Sequence, residues 1–144
     1  MKILVPVDGS QYSMEAVKVA LDYAKTKGAE ITLITVTPFV PGLDLEISAK
    51  ELASLTEKMK SRGEEILEKA QAVLKADGVS SRSILSSSVS AADEIIGVAE
   101  KEKVDLIIIG NRGMGGAATR FFMGSIASKV VGHVPCSVYV VKTV

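Results

Sequence analysis

A chain of 144 residues is about one domain at the usual ~100–200 residues per domain, long enough to bury a core of its own. Hydrophobic residues make up 47% and charged residues 24%, with 4 prolines and 12 glycines, a composition that excludes intrinsic disorder and low complexity. The 17 basic residues balance the 17 acidic ones, so no global positive field draws the molecule to nucleic acid or to an anionic membrane.

Residues 2–7 open the chain with Ile3, Leu4, Val5 and Val7, a near-continuous apolar run that predicts a strand buried on both faces. Asp8, Gly9 and Ser10 supply turn and capping chemistry, and Ala16, Val17, Ala20, Leu21 and Ala24 then recur at helical spacing until Gly28. Residues 31–36 are rich in β-branched side chains and read as a second strand, ended by the segment from Pro38 to Gly42 because proline cannot continue a central ladder. From about 45 to 76, Leu52, Leu55, Met59, Ile66, Ala70 and Val73 recur every three or four positions between Glu and Lys, which predicts a long amphipathic helix. Gly63 in its interior costs about 1 kcal/mol relative to alanine and marks an expected kink.

Asp77 and Gly78 close that helix, and residues 81–87, around Ile84 and Leu85, form a strand polar enough for a sheet edge. Ala92, Ile95, Ile96 and Ala99 make a third helix behind the capping serines Ser88 and Ser90. Residues 104–109 are the most apolar strand and are expected at the centre of the sheet. A glycine-rich stretch at 110–116 follows, Ser125 is positioned to cap a short helix carrying Ile126, Val130, Val131 and Val134, and residues 138–141 close as a last strand.

Strict alternation of strands and helices predicts a single-domain α/β fold over residues 1–144. It is a three-layer α/β/α sandwich around a five-stranded parallel sheet, open and doubly wound. Ligands of such sheets bind outside the carboxyl ends of the strands. That rule selects residues 8–10, 37–42, 86–90 and 110–125. Charge points to the last of these: every acidic residue lies at or before Asp105, while Arg112, Arg120, Lys129 and Lys142 follow it, so the C-terminal part favours anions. A lone Cys136 permits no internal disulfide, and Met1 leads directly into the first strand without a leader-like pattern, so a cytoplasmic, reduced setting is expected. No apolar run approaches the ~20 residues of a membrane span.

The stretch Gly110-Asn-Arg-Gly-Met-Gly-Gly116 leads on to Gly124-Ser125 at a helix start. Glycine lets backbone approach a phosphate closely, amides at a helix N-terminus donate to it, and Arg112 and Arg120 add positive charge. The alternative for the same letters is a passive connector with tight turns. Two familiar phosphate signatures do not fit. Gly110 and Gly115 have the outer spacing of a Walker A loop, but Gly116 and Ala117 stand where its lysine and hydroxyl residue belong. Residues 113–118 spell a dinucleotide pattern, yet no acidic residue follows them to hold a ribose.

The opening Ile3-Leu-Val-Pro-Val-Asp-Gly-Ser10, the strand ending at Val36, and Gly110-x-x-Gly113, Gly124-Ser125 and Pro135-Cys-Ser-Val-Tyr-Val-Val141 together resemble the universal stress protein family, in its nucleotide-binding branch, across the whole chain. That family's signature has nine residues between its second glycine and the Gly-Ser pair, whereas residues 114–123 count ten. The resemblance implies an adenine nucleotide alpha hydrolase-like sheet that binds ATP, with AMP or ADP as alternatives and Mg carried by the nucleotide. It also implies that Asp8 and Val36 flank adenine and ribose, that Gly110, Arg112 and Gly113 run along the phosphates, and that Gly124, Ser125 and Ile126 finish the site, with Pro6, Val7, Ile109 and Asn111 as neighbours in it. A stress-response role and a homodimer formed through the C-terminal strand, around Tyr139 to Val141, follow from the same resemblance, the protein partner being unspecified.

Other readings of these residues are a slow ATPase or phosphotransferase, with Asp8 holding magnesium and Arg112 or Arg120 neutralising charge, and a nucleotide-free chaperone-like or interaction dimer. Asp8 reads equally as a residue leading into a helix. His133 is expected to complement a helix dipole, Cys136 to pack in the core, Phe121, Phe122 and Met123 to pack their loop, and the serines between 80 and 90 to be caps and a polar edge. No residue pattern assigns a metal site.

Overall fold

The computed structural model describes residues 1–113 and 123–143. Five strands form one parallel sheet: β1 (Lys2–Pro6), β2 (Glu30–Pro38), β3 (Ser81–Ser88), β4 (Leu106–Gly110) and β5 (Ser137–Val141), in the order β3-β2-β1-β4-β5. The connections carry α1 (Gln11–Lys27), α2 (Ala49–Ala76), α3 (Ala91–Lys101) and α4 (Ser125–His133), with a short 3-10 turn at Leu43–Leu45 before α2. The expected α/β sandwich is therefore the observed one.

Alternation along each strand divides the core in two, since successive side chains point to opposite faces. Ile3, Val5, Leu33 and Ile108 pack with Ala16, Val17 and Ala20 of α1 and with Leu67, Ala70 and Leu74 of α2. Leu4, Ile34, Ile107 and Ile109 pack on the other face with Ala92, Ile95 and Ala99 of α3 and with Ala127 and Val130 of α4. Small residues on the helices let them lie close to the sheet, and the branched residues of the strands fill the space between.

Several local expectations change on contact with the structure. The central strand is β1; β4 lies beside it, interior, between β1 and β5. β2 runs on through Pro38, tolerable because proline stands at the strand's last pairing position, opposite Ser88. The long helix starts at Ala49, where Ser48 is the N-cap, its hydroxyl oxygen accepting from the Glu51 amide at 3.1 Å and its hydroxyl donating to the Glu51 carboxylate at 3.0 Å. It continues through Gly63 as one helix. The glycine serves a close approach instead, because a Cβ there would lie 2.5 Å from Leu85 Cδ1 on β3. β3 is an edge strand as expected.

Crossovers fix where a ligand could sit. From β1 the chain steps outward to β2 and β3, then returns to place β4 on the other side of β1. The connections leaving β1 and β4 therefore go to opposite faces and open a crevice at their carboxyl ends.

Candidate functional site

A cavity of about 570 Å³ occupies that crevice. Its walls include Pro6, Val7 and Asp8 after β1, Ile34 and Val36 of β2, Ile109 and Gly110 of β4, Arg112 and Gly113 beyond it, and Gly124, Ser125 and Ile126 at the start of α4. Every site residue named from the sequence is in this wall except Asn111. Ser13, Ile34, Ala91, Ile95 and Ala127 also line the wall and were not expected in the site, and Met123, expected to pack its loop, lines it as well. Ile34 was within reach of the sequence, because it shares a strand face with Val36; Ala91 and Ile95 join only through the placement of α3. Arg120 and the Phe121–Phe122 pair lie outside the described residues.

The wall combines two kinds of chemistry. Ile34, Val36, Ile95 and Ile109 are its aliphatic members and belong to the core cluster packed on α3 and α4. Asp8, Arg112, the glycines and the first residues of α4 supply its polar and backbone groups. Asp8 is fixed by its own turn, its Oδ1 accepting from the Ser10 N–H at 2.9 Å. A Cβ on Gly113 would lie 2.7 Å from Asp8 Oδ2, so any larger residue there would make this carboxylate shift. Gly110 answers a similar need one strand end away, since a Cβ there would meet the Tyr12 carbonyl oxygen at 2.7 Å.

Helix termini at the cavity differ in how their amides are satisfied. Ser10 caps α1 by accepting from the Ser13 N–H at 3.2 Å, and Ser90 caps α3 by accepting from the Asp93 N–H at 3.2 Å. At α4 the expected serine cap is displaced by one position: Gly124 is the N-cap, it offers no side chain, and Ser125 is the first helical residue. The first intrahelical bond runs from Ser128 N–H to Gly124 O at 2.9 Å. The amides of Ser125, Ile126 and Ala127 precede that bond, so no backbone carbonyl of α4 accepts from them. All three residues line the cavity. Gly124's own N–H is committed, donating to Asn111 O at 2.7 Å. That bond closes the base of the ten-residue connector and brings both Gly113 and Gly124 to the same cavity despite the extra residue.

Asn111 stands behind the wall, with its Oδ1 accepting from the Thr143 N–H at 3.1 Å. Outside the cavity, Lys129 of α4 pairs with Asp93 of α3 at 2.9 Å. The Lys129 ammonium, with the Ser90 hydroxyl assisting, holds the Asp93 carboxyl below its ordinary 3.8. His133 ends α4 with Nδ1 2.9 Å from Lys129 O. Cys136 packs against the α3–α4 core, and burial pushes its thiol above the ordinary 9.0. Among the described residues no group of three His, Cys, Asp or Glu side chains could hold a metal ion, and no helix is long and apolar enough to cross a membrane.

Comparison with known proteins gives a consistent result. The family model described as the universal stress protein family matches residues 1–142. The curated universal stress protein MJ0531 of Methanocaldococcus jannaschii is 39% identical over 144 residues, 98% of this chain and 81% of that one. Among solved structures, hypothetical protein MJ0577 superposes with a TM-score of 0.85 at 26% identity, covering 99% of this chain and 96% of its own. A universal stress protein in complex with cAMP superposes with a TM-score of 0.74 at 25% identity, covering 100% and 98%.

Proposed function

The chain belongs to the universal stress protein family, and from that premise we propose that it is an ATP-binding regulatory module whose nucleotide occupancy controls the binding of a protein partner. The observation that carries this reading is the start of α4, which has no side-chain cap and whose first residues line a cavity with both aliphatic and polar walls. A structural relative in complex with cAMP supports an adenine nucleotide as the class of ligand.

The aliphatic side chains of Ile34, Val36, Ile95 and Ile109 suit a purine, which gains by leaving water. Asp8 suits ribose hydroxyls or an exocyclic amino group, because a carboxylate accepts from both. The amides of residues 125–127 and the Arg112 guanidinium suit phosphate oxygens, through charge-assisted hydrogen bonds and the helix dipole. Asp8 is the one carboxylate in the described wall, too few for a dedicated magnesium cage and in keeping with Mg entering on the phosphates.

No described arrangement supplies a general base or an activated nucleophile to this site, so binding is favoured over a slow ATPase or phosphotransferase role. The same reading includes a homodimer through β5: it is an edge strand, and its Tyr139 is 42% exposed. A reduced, cytoplasmic setting agrees with the half-buried thiol of Cys136.

The test is to purify the protein without added nucleotide, denature it, and identify any base released, with Gly113→Ala and Gly124→Ala handled alike. Adenine nucleotide near one per chain, lost in both variants, is expected. If none is released and micromolar ATP leaves the melting temperature unmoved, the nucleotide reading falls and the nucleotide-free interaction dimer replaces it.

A further inference from the structure

Asn111 follows directly on β4 and is 8% exposed. Three hydrogen bonds leave it in three directions. Its N–H donates to Val141 O at 3.0 Å, extending the β4–β5 pairing by one residue; its carbonyl accepts from the Gly124 N–H at 2.7 Å; and its Oδ1 accepts from the Thr143 N–H at 3.1 Å. One buried residue thus ties the start of α4 to the tail that leaves β5.

A direct ligand role would need this side chain in the cavity wall, and it is not there. We infer that Asn111 is a positioning residue: by holding the tail at Thr143 it fixes the backbone that orients Gly124, and so couples the order of the C-terminal tail to the strength of anion binding at the α4 N-terminus. Loss of the Thr143 bond loosens the Asn111 backbone, Gly124 follows, and the amides of Ser125 to Ala127 no longer converge. Linkage makes the effect reciprocal, so an anion bound at those amides also slows release of the tail. The inference rests on the nucleotide reading for its ligand, and deepens it by placing a control point outside the cavity.

Thr143 makes the coupling separable from general stability. Its Oγ1 is buried without a hydrogen-bond partner, so Thr143→Ala loses no hydrogen bond and keeps the N–H, whereas Thr143→Pro removes that N–H. ATP is titrated into full-length wild type, Thr143→Ala, Thr143→Pro, Asn111→Ala and the Asn111→Ala/Thr143→Pro double variant, with melting temperatures recorded for each. Amide exchange is measured in the absence of ligand at Gly124 in every variant, and at position 143 in those that keep that N–H.

Thr143→Ala is expected to bind as wild type. Thr143→Pro and Asn111→Ala should each bind about tenfold more weakly, a typical coupling, and the double variant no more weakly than either single one. Gly124 exchange should quicken in Thr143→Pro without ligand. If wild type binds ATP and Thr143→Pro binds equally well, or if affinity falls only in step with melting temperature, the coupling is wrong and the nucleotide reading stands. If wild type binds no nucleotide but Gly124 exchange still quickens in Thr143→Pro, the clamp stands and the ligand assignment fails. Unchanged Gly124 exchange overturns the clamp whatever binds.

Discussion

Of the three helix N-termini that border the cavity, those of α1 and α4 are finished in opposite ways. At α1, Ser10 turns back to accept from Ser13, Asp8 accepts from Ser10, and Ser13 Oγ donates to Ser10 O at 3.0 Å, so the local side chains consume the local backbone groups. At α4 a glycine holds the capping position and supplies nothing. The difference teaches that a helix terminus becomes a binding element when its own sequence declines to satisfy it; a serine one residue earlier would convert the second terminus into the first.

The comparison breaks most severely on the α1 side. Gly110→Ala drives a methyl group into the Tyr12 carbonyl, where backbone must move, and should cost roughly 3 kcal/mol of stability, read as a fall in the midpoint of urea unfolding. Next in size, Gly124→Asp gives α4 a carboxylate of its own. Nucleotide affinity should fall about a hundredfold, measured by calorimetric titration, while the melting temperature without nucleotide holds, since an acidic cap suits both the amides and the dipole. Affinity unchanged by this substitution would remove α4 from the site.

Ser10→Ala tests the closed terminus. It should lower stability by about 1 kcal/mol and leave ATP affinity unaltered, because those amides face their own turn. Weakest of all is the fastening between α3 and α4. Asp93 has its pKa depressed in the folded state by Lys129, so its contribution is present above the ordinary 3.8 and is lost as pH falls through the lower folded value. Lys129→Ala should therefore lower the melting temperature slightly at neutral pH, as expected of an exposed pair, and the difference from wild type should vanish as pH falls below the ordinary carboxylate value.

Much of this molecule was legible before its structure. The unbroken apolar run Ile3-Leu4-Val5 already implied a strand buried on both faces, and the glycines at 110, 113 and 124 already marked where backbone passes close to something. What escaped was geometry shared between distant segments. Ser125 looked like a cap because it stands just before the helical run Ile126, Val130 and Val131, and nothing local says that the helix begins one residue sooner. Gly63 looked like a kink because its reason, Leu85, lies on another element. Asn111 was placed in the site by the family resemblance, as a neighbour of Gly110 and Arg112, while its side chain turns to Thr143.

The return of the chain from β3 to the far side of β1 has a consequence for biosynthesis. β1 is made first, yet its second neighbour, β4, is synthesised roughly a hundred residues later, with Ile3 pairing to Leu106, so an emerging chain carries a half-covered central strand until its last third leaves the ribosome. The cavity needs both Asp8 and Ser125. Any ligand it holds stabilises only chains that have been completed, and products that stop short of α4 would keep the hydrophobic face of β1 without that protection.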